Sequence, residues 1–225
     1  MKIDIKGYIV GDDEAWIYDW FGLTATCPKD IHEALTKSNG MPVDVEINSG
    51  GGSVFAGSEI YSALRGYSGQ VNIHITGLAA SAASVIAMAG HSDMSPTAQM
   101  MVHRVSMGGI AGNVHDMEHA AFELQKADEA LAAAYVEKTG MSREEALDLM
   151  DRETWLTAED AVKAGLVDEI TKAKTPSLQM TAAVEGMIPQ AVINKMNAEK
   201  AAIKADLERL KGEKNEIQGV SGQEE

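Results

Sequence analysis

The chain has 225 residues, enough to bury a core in one domain with an appendage, so neither disulfides nor a structural metal is required. Its 19 basic and 34 acidic side chains give a net charge of −15, which excludes binding to nucleic acids or membranes through a basic surface. A single cysteine, Cys27, excludes a disulfide framework and a multi-thiolate metal site.

Charged residues interrupt the N-terminal segment, which predicts that it is not a signal peptide. The apolar runs all stay below the roughly 18–20 residues that a membrane-spanning helix needs. We therefore expect a cytoplasmic protein without a membrane anchor.

The first half of the chain shows alternating strand and helix patterns. Apolar residues alternate over residues 2–10, which predicts a strand, and a helix is expected from Pro28 to Gly40. The period-two pattern of residues 43–47 predicts a second strand, which the glycine-rich segment 48–52 should break. Helical spacing of apolar residues follows over residues 53–67.

The pattern continues through the middle of the chain. Residues 71–75 predict a strand that ends by Gly77, and the small residues 79–84 predict a helix packed tightly against a sheet. Residues 98–102 predict a further strand.

Capping signals then mark a long helix and two short ones. Asn113 is a typical N-cap for a helix that runs to Thr139, with Gly140 as its stop. Capping boxes begin at Ser142 and, more weakly, at Thr157, and a last strand is expected over residues 166–170. Strands that alternate with helices predict an α/β domain with a parallel sheet, over residues 1–174.

After Pro176 the composition changes. Residues 175–190 resemble a linker, residues 191–219 follow a heptad pattern, and residues 220–225 are expected to be a flexible end. The heptad pattern predicts a coiled-coil-like helix, whose seam contains Ile193, Met196, Lys200, Ile203, Leu207, Leu210, Lys214 and Ile217.

Three positions could carry chemistry. Gly50–Gly52 either form a loop whose N–H groups face a ligand or an extended peptide, or simply make a tight turn. Ser81 either places its hydroxyl near a helix N-terminus that favours an oxyanion, with Ala82 N–H as one donor, or is simply small enough for a crowded contact. His103 acts as a base only if Ser81 lies across from it, and the base needs a carboxylate, available at residues 151–153.

A possible zinc motif lies in the long helix. His115 and His119 flank an H-x-x-E-H pattern, which would place two imidazoles one turn apart on one helix face. Because no third ligand is evident nearby, we interpret the pattern as a solvated face and predict no metal or other cofactor.

Four segments, in order along the chain, resemble motifs of the proteolytic subunit of the Clp protease, the ClpP family. They are NSGGGSVFAG at 48–57, GLAASAAS at 77–84, MVH at 101–103 followed by Gly108-Gly109, and WLTAEDA at 155–161 followed by GLVD at 165–168. The resemblance implies a crotonase/ClpP-like α/β fold whose helix from Asn113 forms a protruding handle, with Ser81 as nucleophile and His103 as general base.

The resemblance also implies the remaining site residues. The oxyanion hole would be formed by the N–H groups of Gly51 and Ala82, and the substrate would add as a strand along Gly52, Ser53 and Val54. Where the family usually has an aspartate, the alignment places Glu153, and Asp151 remains the alternative for the third catalytic residue. Gly50 replaces the proline of the family motif.

The tail and the Trp-Leu-Thr-Ala segment resemble the phage-encoded branch of the family, the head maturation proteases. This resemblance implies a serine endopeptidase that trims capsid or scaffold proteins during prohead maturation, in the host cytoplasm or inside the prohead. We expect homo-oligomeric, heptameric rings, and activity independent of ATP because the sequence starts almost directly at its first strand. The alternatives are a crotonase-type acyl-CoA enzyme on the same fold and a non-catalytic capsid assembly scaffold.

Overall fold

The computed structural model describes residues 1–172, together with Lys200 and Lys204 in the tail. Residues 1–172 make up one compact α/β unit. Lys200 and Lys204 are helical and exposed. The linker and the rest of the coiled-coil-like helix and flexible end lie outside the described residues, so the division of the chain into these parts stays a prediction.

The unit consists of eight strands and seven helices within residues 1–172. The strands are β1 (Lys2–Ile9), β2 (Ala25–Thr26), β3 (Val43–Gly52), β4 (Val71–Ala80), β5 (His91–Met94), β6 (Gln99–Val102), β7 (Thr154–Thr157) and β8 (Glu169–Ile170). The helices are α1 (Ala15–Trp20), α2 (Pro28–Ser38), α3 (Val54–Arg65), α4 (Ala82–Ala87), α5 (Val114–Thr139), α6 (Arg143–Asp151) and α7 (Ala158–Lys163).

The sheet has the strand order β2-β1-β3-β4-β5-β8, and all of these neighbours are parallel. β4 is long enough to pair twice: its first half pairs with β5 and its last residues, Leu78–Ala80, pair with β6. β7 then pairs antiparallel with β6. The predicted α/β fold with a parallel sheet is therefore confirmed.

Apolar residues of β1, β3 and β4 form the centre of the core. Their inward side chains are almost fully buried, as the alternating patterns predict: Ile3, Ile5, Val43, Val45, Ile47, Ile73 and Ile75. Every residue of α4 is buried, and small side chains allow this. A Cβ added to Gly57 of α3 would lie only 2.8 Å from the Cβ of Ala82, so α3 and α4 pack at close range.

Two strands are longer than the sequence predicts. β3 does not break at its glycines but stays paired with β1 as far as Gly52, after a register shift at Gly7/Tyr8. Gly52 has φ +151°, and a Cβ there would lie 2.1 Å from the carbonyl oxygen of Ile9, so only glycine fits this pairing. β4 likewise continues past Gly77 to Ala80.

The long helix α5 has the predicted ends. Asn113 is its N-cap in a complete capping box, and Gly140 ends it in the left-handed conformation. In its first half only Ala120 is buried, whereas the second half packs against the rest of the unit. The N-terminal half therefore protrudes, as expected for a handle. Within the described residues, each helix is too short or too polar to cross a bilayer.

Candidate active site

Ser81 lies at a sharp turn between β4 and α4. Its backbone angles, φ 56° and ψ −127°, are uncommon for any residue other than glycine. The Ser81 N–H donates to the carbonyl of Met101 at 3.0 Å, which ties the turn to β6. The nucleophile predicted from the sequence thus occupies a strained strand-to-helix junction.

His103 follows β6 directly and faces Ser81. Because β4 and β6 are parallel and Ala80 pairs with Met101, their carboxyl ends meet at the same edge of the sheet. His103 Nε2 lies 2.7 Å from Ser81 Oγ, within hydrogen-bonding distance. The structure therefore brings together the serine and the histidine in the geometry of a nucleophile and its base.

The carboxylate expected behind His103 is not hydrogen-bonded to the imidazole in the described structure. β7 pairs antiparallel with β6 and Val102 pairs with Thr154, so the register places Glu153 opposite His103. Glu153 is exposed and has φ +46°, just before β7. Within residues 1–172, no hydrogen bond joins the His103 ring to Glu153 or Asp151. Asp151 instead accepts a hydrogen bond from Arg104 Nε at 2.7 Å.

The predicted oxyanion hole agrees with the structure only in part. Ala82 is the first residue of α4, and first-turn N–H groups have no acceptor within a helix. The Gly51 N–H, however, donates to Ser49 Oγ at 3.0 Å, and Ser49 donates in turn to Gly7 O at 2.7 Å. Gly51 is thus needed for close approach, since its Cβ would lie 2.6 Å from Ser81 Cβ, but its N–H is already occupied.

A depression of about 50 Å³ lies beside the serine and the histidine. Gly52 and Val54, two of the three predicted substrate-binding residues, line it. Ser53 has another role: its Oγ accepts from Ala56 N–H as the N-cap of α3, and its N–H donates to Ile9 O at 2.8 Å. The other lining residues are Ala82, Val85, Arg104, Val105, Ser106, Leu131 and Tyr135.

Two contacts from α5 reach this depression, and neither was predicted from the sequence. Asp128 accepts hydrogen bonds from Val105 N–H and from Arg104, and hydrogen bonds to Asp128 and Asp151 raise the pKa of Arg104. Tyr135 shares a hydrogen bond with Ser84, whose hydroxyl donates to Ser81 O at 2.6 Å. Burial raises the pKa of Tyr135 to about 12. In the sequence, a lone aspartate and tyrosine in a charged helix gave no signal of burial.

The H-x-x-E-H histidines lie on the protruding half of α5. The side chains of His115 and His119 are 86% and 72% exposed, and each lies 3.4–3.5 Å from a glutamate of the same helix. Within the described residues, no cluster of three potential metal ligands is found.

Comparisons with a family profile and with individual proteins both match this chain to the Clp proteases. The sequence profile of the Clp protease family matches residues 31–174. Proteolytic subunit 1 of the ATP-dependent Clp protease from Chlamydia muridarum is 39% identical over 153 residues, covering 63% of this chain and 80% of that protein. The proteolytic subunit from Bacteroides fragilis is 37% identical over 134 residues, covering 58% and 64%.

The fold also resembles a solved structure. A mutant of ClpP1 from Listeria monocytogenes superposes with a TM-score of 0.62 at 26% sequence identity. The match covers 77% of this chain and 92% of that one. The predicted ClpP-like fold is therefore confirmed.

Proposed function

Because the chain belongs to the Clp protease family and is a serine-type peptidase, we propose that Ser81 is its nucleophile and His103 its general base. The observation that carries this proposal is the 2.7 Å contact between Ser81 Oγ and His103 Nε2 at the carboxyl edge of the sheet. An acyl-CoA enzyme or a non-catalytic scaffold would have no use for such a pair, so both alternatives are disfavoured.

The proposed reaction is acyl transfer in two halves. As Ser81 Oγ attacks the peptide carbonyl carbon, His103 Nε2 takes the hydroxyl proton. The imidazolium then gives that proton to the leaving amine. In the second half, His103 takes a proton from a water molecule as the water oxygen attacks the acyl carbon. The bond between that carbon and Ser81 Oγ then breaks, the imidazolium returns its proton to Oγ, and the acid is released. The chemistry needs no cofactor and no nucleotide, so we propose that short peptides are hydrolysed without ATP.

Two N–H groups are proposed to stabilise the oxyanion. Ala82 supplies one, at the start of α4. For the second we propose Gly52 in place of Gly51. Ser53 N–H points to β1, where it bonds Ile9 O, and because N–H groups alternate along a strand, Gly52 N–H points to the opposite side, that of β4 and Ser81.

Glu153 is our candidate for the carboxylate behind the base. The register of β6 and β7 places it opposite His103, whereas the carboxylate of Asp151 is already bound by Arg104. A carboxylate there would orient the imidazole and stabilise the imidazolium.

The substrate is proposed to bind as an added strand, held by main-chain hydrogen bonds. The depression beside Ser81 is lined by Gly52 and Val54, where β3 leads into α3, and by Val105 and Ser106 after His103. We propose that an extended peptide lies between these two segments with its carbonyl at Ser81. Ser53 contributes by capping α3 and not through its own N–H, which is bonded to Ile9.

For the biological role we propose phage prohead maturation, with capsid or scaffold proteins as substrates. The support is the Trp155–Ala158 segment together with the heptad pattern of the tail, both of which resemble phage head maturation proteases. The bacterial relatives named above are subunits of ATP-dependent Clp proteases, so this role rests on features of the sequence alone.

We also propose that the chain forms a homo-oligomeric ring, heptameric as implied by the resemblance, with α5 at the contact between rings. The protruding half of α5 exposes large apolar side chains, Val114, Met117 and Phe122, which water contacts unfavourably in an isolated chain. Burial of this half in a contact between copies would remove that exposure.

The decisive experiment is the Ser81→Ala variant. We expect turnover of a short fluorogenic peptide to fall by a factor of order 10⁴, because only residual stabilisation of the oxyanion remains. A fluorophosphonate should label the wild-type chain at Ser81 and leave the variant unlabelled. The control is Ser62→Ala, an exposed serine of α3, which should keep full activity. Ordinary turnover by Ser81→Ala, or labelling at another serine, would show that the assignment is wrong.

A further inference from the structure

Helix α5 places a buried carboxylate against the active site. Asp128 is only 3% exposed, and within the described residues it is the one charged side chain that is buried. A carboxylate taken out of water is costly unless it is paired and hydrogen-bonded, so its partners are informative.

Those partners are the two residues that follow His103 in the chain. One carboxylate oxygen of Asp128, Oδ1, accepts from Val105 N–H at 2.7 Å, and the other, Oδ2, accepts from Arg104 Nη1 at 3.0 Å. Arg104 also reaches Asp151 at the end of α6. The segment after His103 is thus held on one side by α5 and on the other by the residues just before Glu153.

The same face of α5 also contacts the turn that carries Ser81, through Tyr135. Tyr135 lies seven residues after Asp128, which is about two helical turns, so both side chains project in the same direction. The Tyr135 hydroxyl shares a hydrogen bond with Ser84, and the Ser84 hydroxyl donates a hydrogen bond to Ser81 O. The helix therefore reaches both sides of the Ser81–His103 pair through neighbouring residues, and its Leu131 lines the depression beside the pair.

We propose that Asp128 is a positioning residue for peptide hydrolysis, acting through Val105 and Arg104 to hold His103 against Ser81. The inference rests on the proposed roles of Ser81 and His103. It adds that the backbone after the base is fixed by a charge on α5, and that loss of this charge loosens the base without touching the reacting atoms. Displacements of about 1 Å in such a site can cost of order 100-fold in rate.

The test is the Asp128→Asn variant, which keeps the size of the side chain. Its amide can still accept from Val105 N–H, but its NH₂ group would then face the Arg104 guanidinium, donor against donor. The matched control is Glu129→Gln, which removes a charge from the next residue of α5. The Glu129 side chain is partly exposed, and in the described structure its ion pair is with Lys126.

Active sites are titrated to completion with a fluorophosphonate, and kcat is expressed per titrated serine. We expect kcat per site to fall 10- to 100-fold in Asp128→Asn, with the rate constant of phosphonylation falling in parallel. Glu129→Gln should stay within twofold of wild type. A purely structural role for Asp128 would lower the number of competent sites or the melting temperature but leave kcat per site unchanged, and that result would overturn the proposal.

Arg104→Met supplies a second line of evidence that does not depend on Asp128→Asn folding. We expect it to lower kcat per site, with Arg104→Lys intermediate, because lysine keeps the charge but lacks the planar fork that reaches two carboxylates. The double variant Asp128→Asn/Arg104→Met should lose little more than the worse single variant, since both act on one contact. Wild-type kcat per site in Arg104→Met, or fully additive losses, would also overturn the proposal. If wild-type Ser81 itself fails to react with the fluorophosphonate, the proposed function fails instead, whatever Asp128 does.

Discussion

At the scale of single residues, the backbone conformation of Ser81 lowers the stability of the fold. A positive φ at a residue other than glycine, as at Ser81, costs of order 1–3 kcal/mol, and the surrounding contacts must offset this strain. The Ser81 N–H donates a hydrogen bond to the carbonyl of Met101 in β6, and the Ser81 carbonyl accepts one from the Ser84 hydroxyl. The turn is therefore held on both sides of Ser81. In this turn conformation Ser81 Oγ lies 2.7 Å from His103 Nε2.

Glu153 and Asp151 can be separated by paired substitutions. We expect Glu153→Gln to lower kcat/KM by at least tenfold, and by up to about 10⁴-fold if the carboxylate sets the tautomer of His103 as in other serine triads. Asp151→Asn should cost much less, because Asp151 is exposed and loses only its contact with Arg104. Both variants are assayed on the same short peptide, with thermal melting to confirm the fold. The reverse ranking would transfer the third role to Asp151.

At the scale of elements, the sequence predicts what is determined locally. Asn113 and Gly140 mark the two ends of α5 because caps depend on neighbouring residues alone. The continuation of β3 through Gly52 was not predictable in this way, since it depends on pairing with Ile9 some forty residues earlier. The burial of Asp128 depends likewise on the distant segment after His103. Motif resemblance indicated Ser81 and His103, whose side chains lie 2.7 Å apart in the structure. It could not indicate that Ser49 Oγ accepts from the Gly51 N–H, because Ser49 is held in place by its long-range hydrogen bond to Gly7 O.

Asp168 ties three elements together, just before β8. It accepts from Ser92 N–H at 2.7 Å in β5 and forms an ion pair with Lys138 of α5. Partial burial alone would raise the pKa of Asp168, but the bonds from Lys138 and Ser92 outweigh it and lower the pKa below 3.8. A carboxyl with a depressed pKa in the folded state stabilises the fold above its unfolded pKa, and this contribution is lost as pH falls through the folded pKa.

We therefore expect Asp168→Asn to lower the free energy of unfolding by about 1 kcal/mol at neutral pH, a modest value because solvent reaches and screens the partly exposed Asp168 carboxylate. The difference from wild type should shrink as pH falls below 3.8, because the carboxyl is then protonated first in the unfolded chain and, at lower pH, in the folded chain as well. Urea unfolding across this range measures it. Glu169→Gln, which removes the neighbouring exposed charge, should change little, and an Asp168→Asn deficit that is constant with pH would contradict the linkage.

At the scale of the whole molecule, charge and exposed apolar surface are unevenly distributed. Residues 191–225 carry 6 basic and 7 acidic side chains, so the rest of the chain holds −14 of the net −15. The described unit is thus strongly acidic, yet it exposes large apolar side chains on α5 and in or directly after α1, among them Trp16, Trp20, Phe21 and Phe122. Such surface in an acidic unit is consistent with the ring proposed above, because assembly has to bury enough of it to outweigh charge repulsion.

The tail is expected to deliver substrates and not to hold the ring together. About three and a half heptads is short for an autonomous coiled coil, and Lys200 and Lys214 on the seam weaken self-association. Residues 1–172, by contrast, contain the whole of the candidate site and the protruding helix. A seam that is too weak to pair with itself can still fold on an apolar helix of a partner.

Deleting residues 190–225 should therefore leave hydrolysis of a short peptide within about twofold of the full chain. The number of subunits per oligomer, measured by light scattering, should also stay the same. Cleavage of capsid or scaffold proteins should fall at least tenfold, because their local concentration at the ring is lost. The full-length variant Leu207→Asp/Leu210→Asp, which keeps the length but disrupts the seam, should behave like the deletion. If the deleted chain falls to monomers and loses peptide hydrolysis, the tail holds the ring together, and the proposed delivery role is wrong.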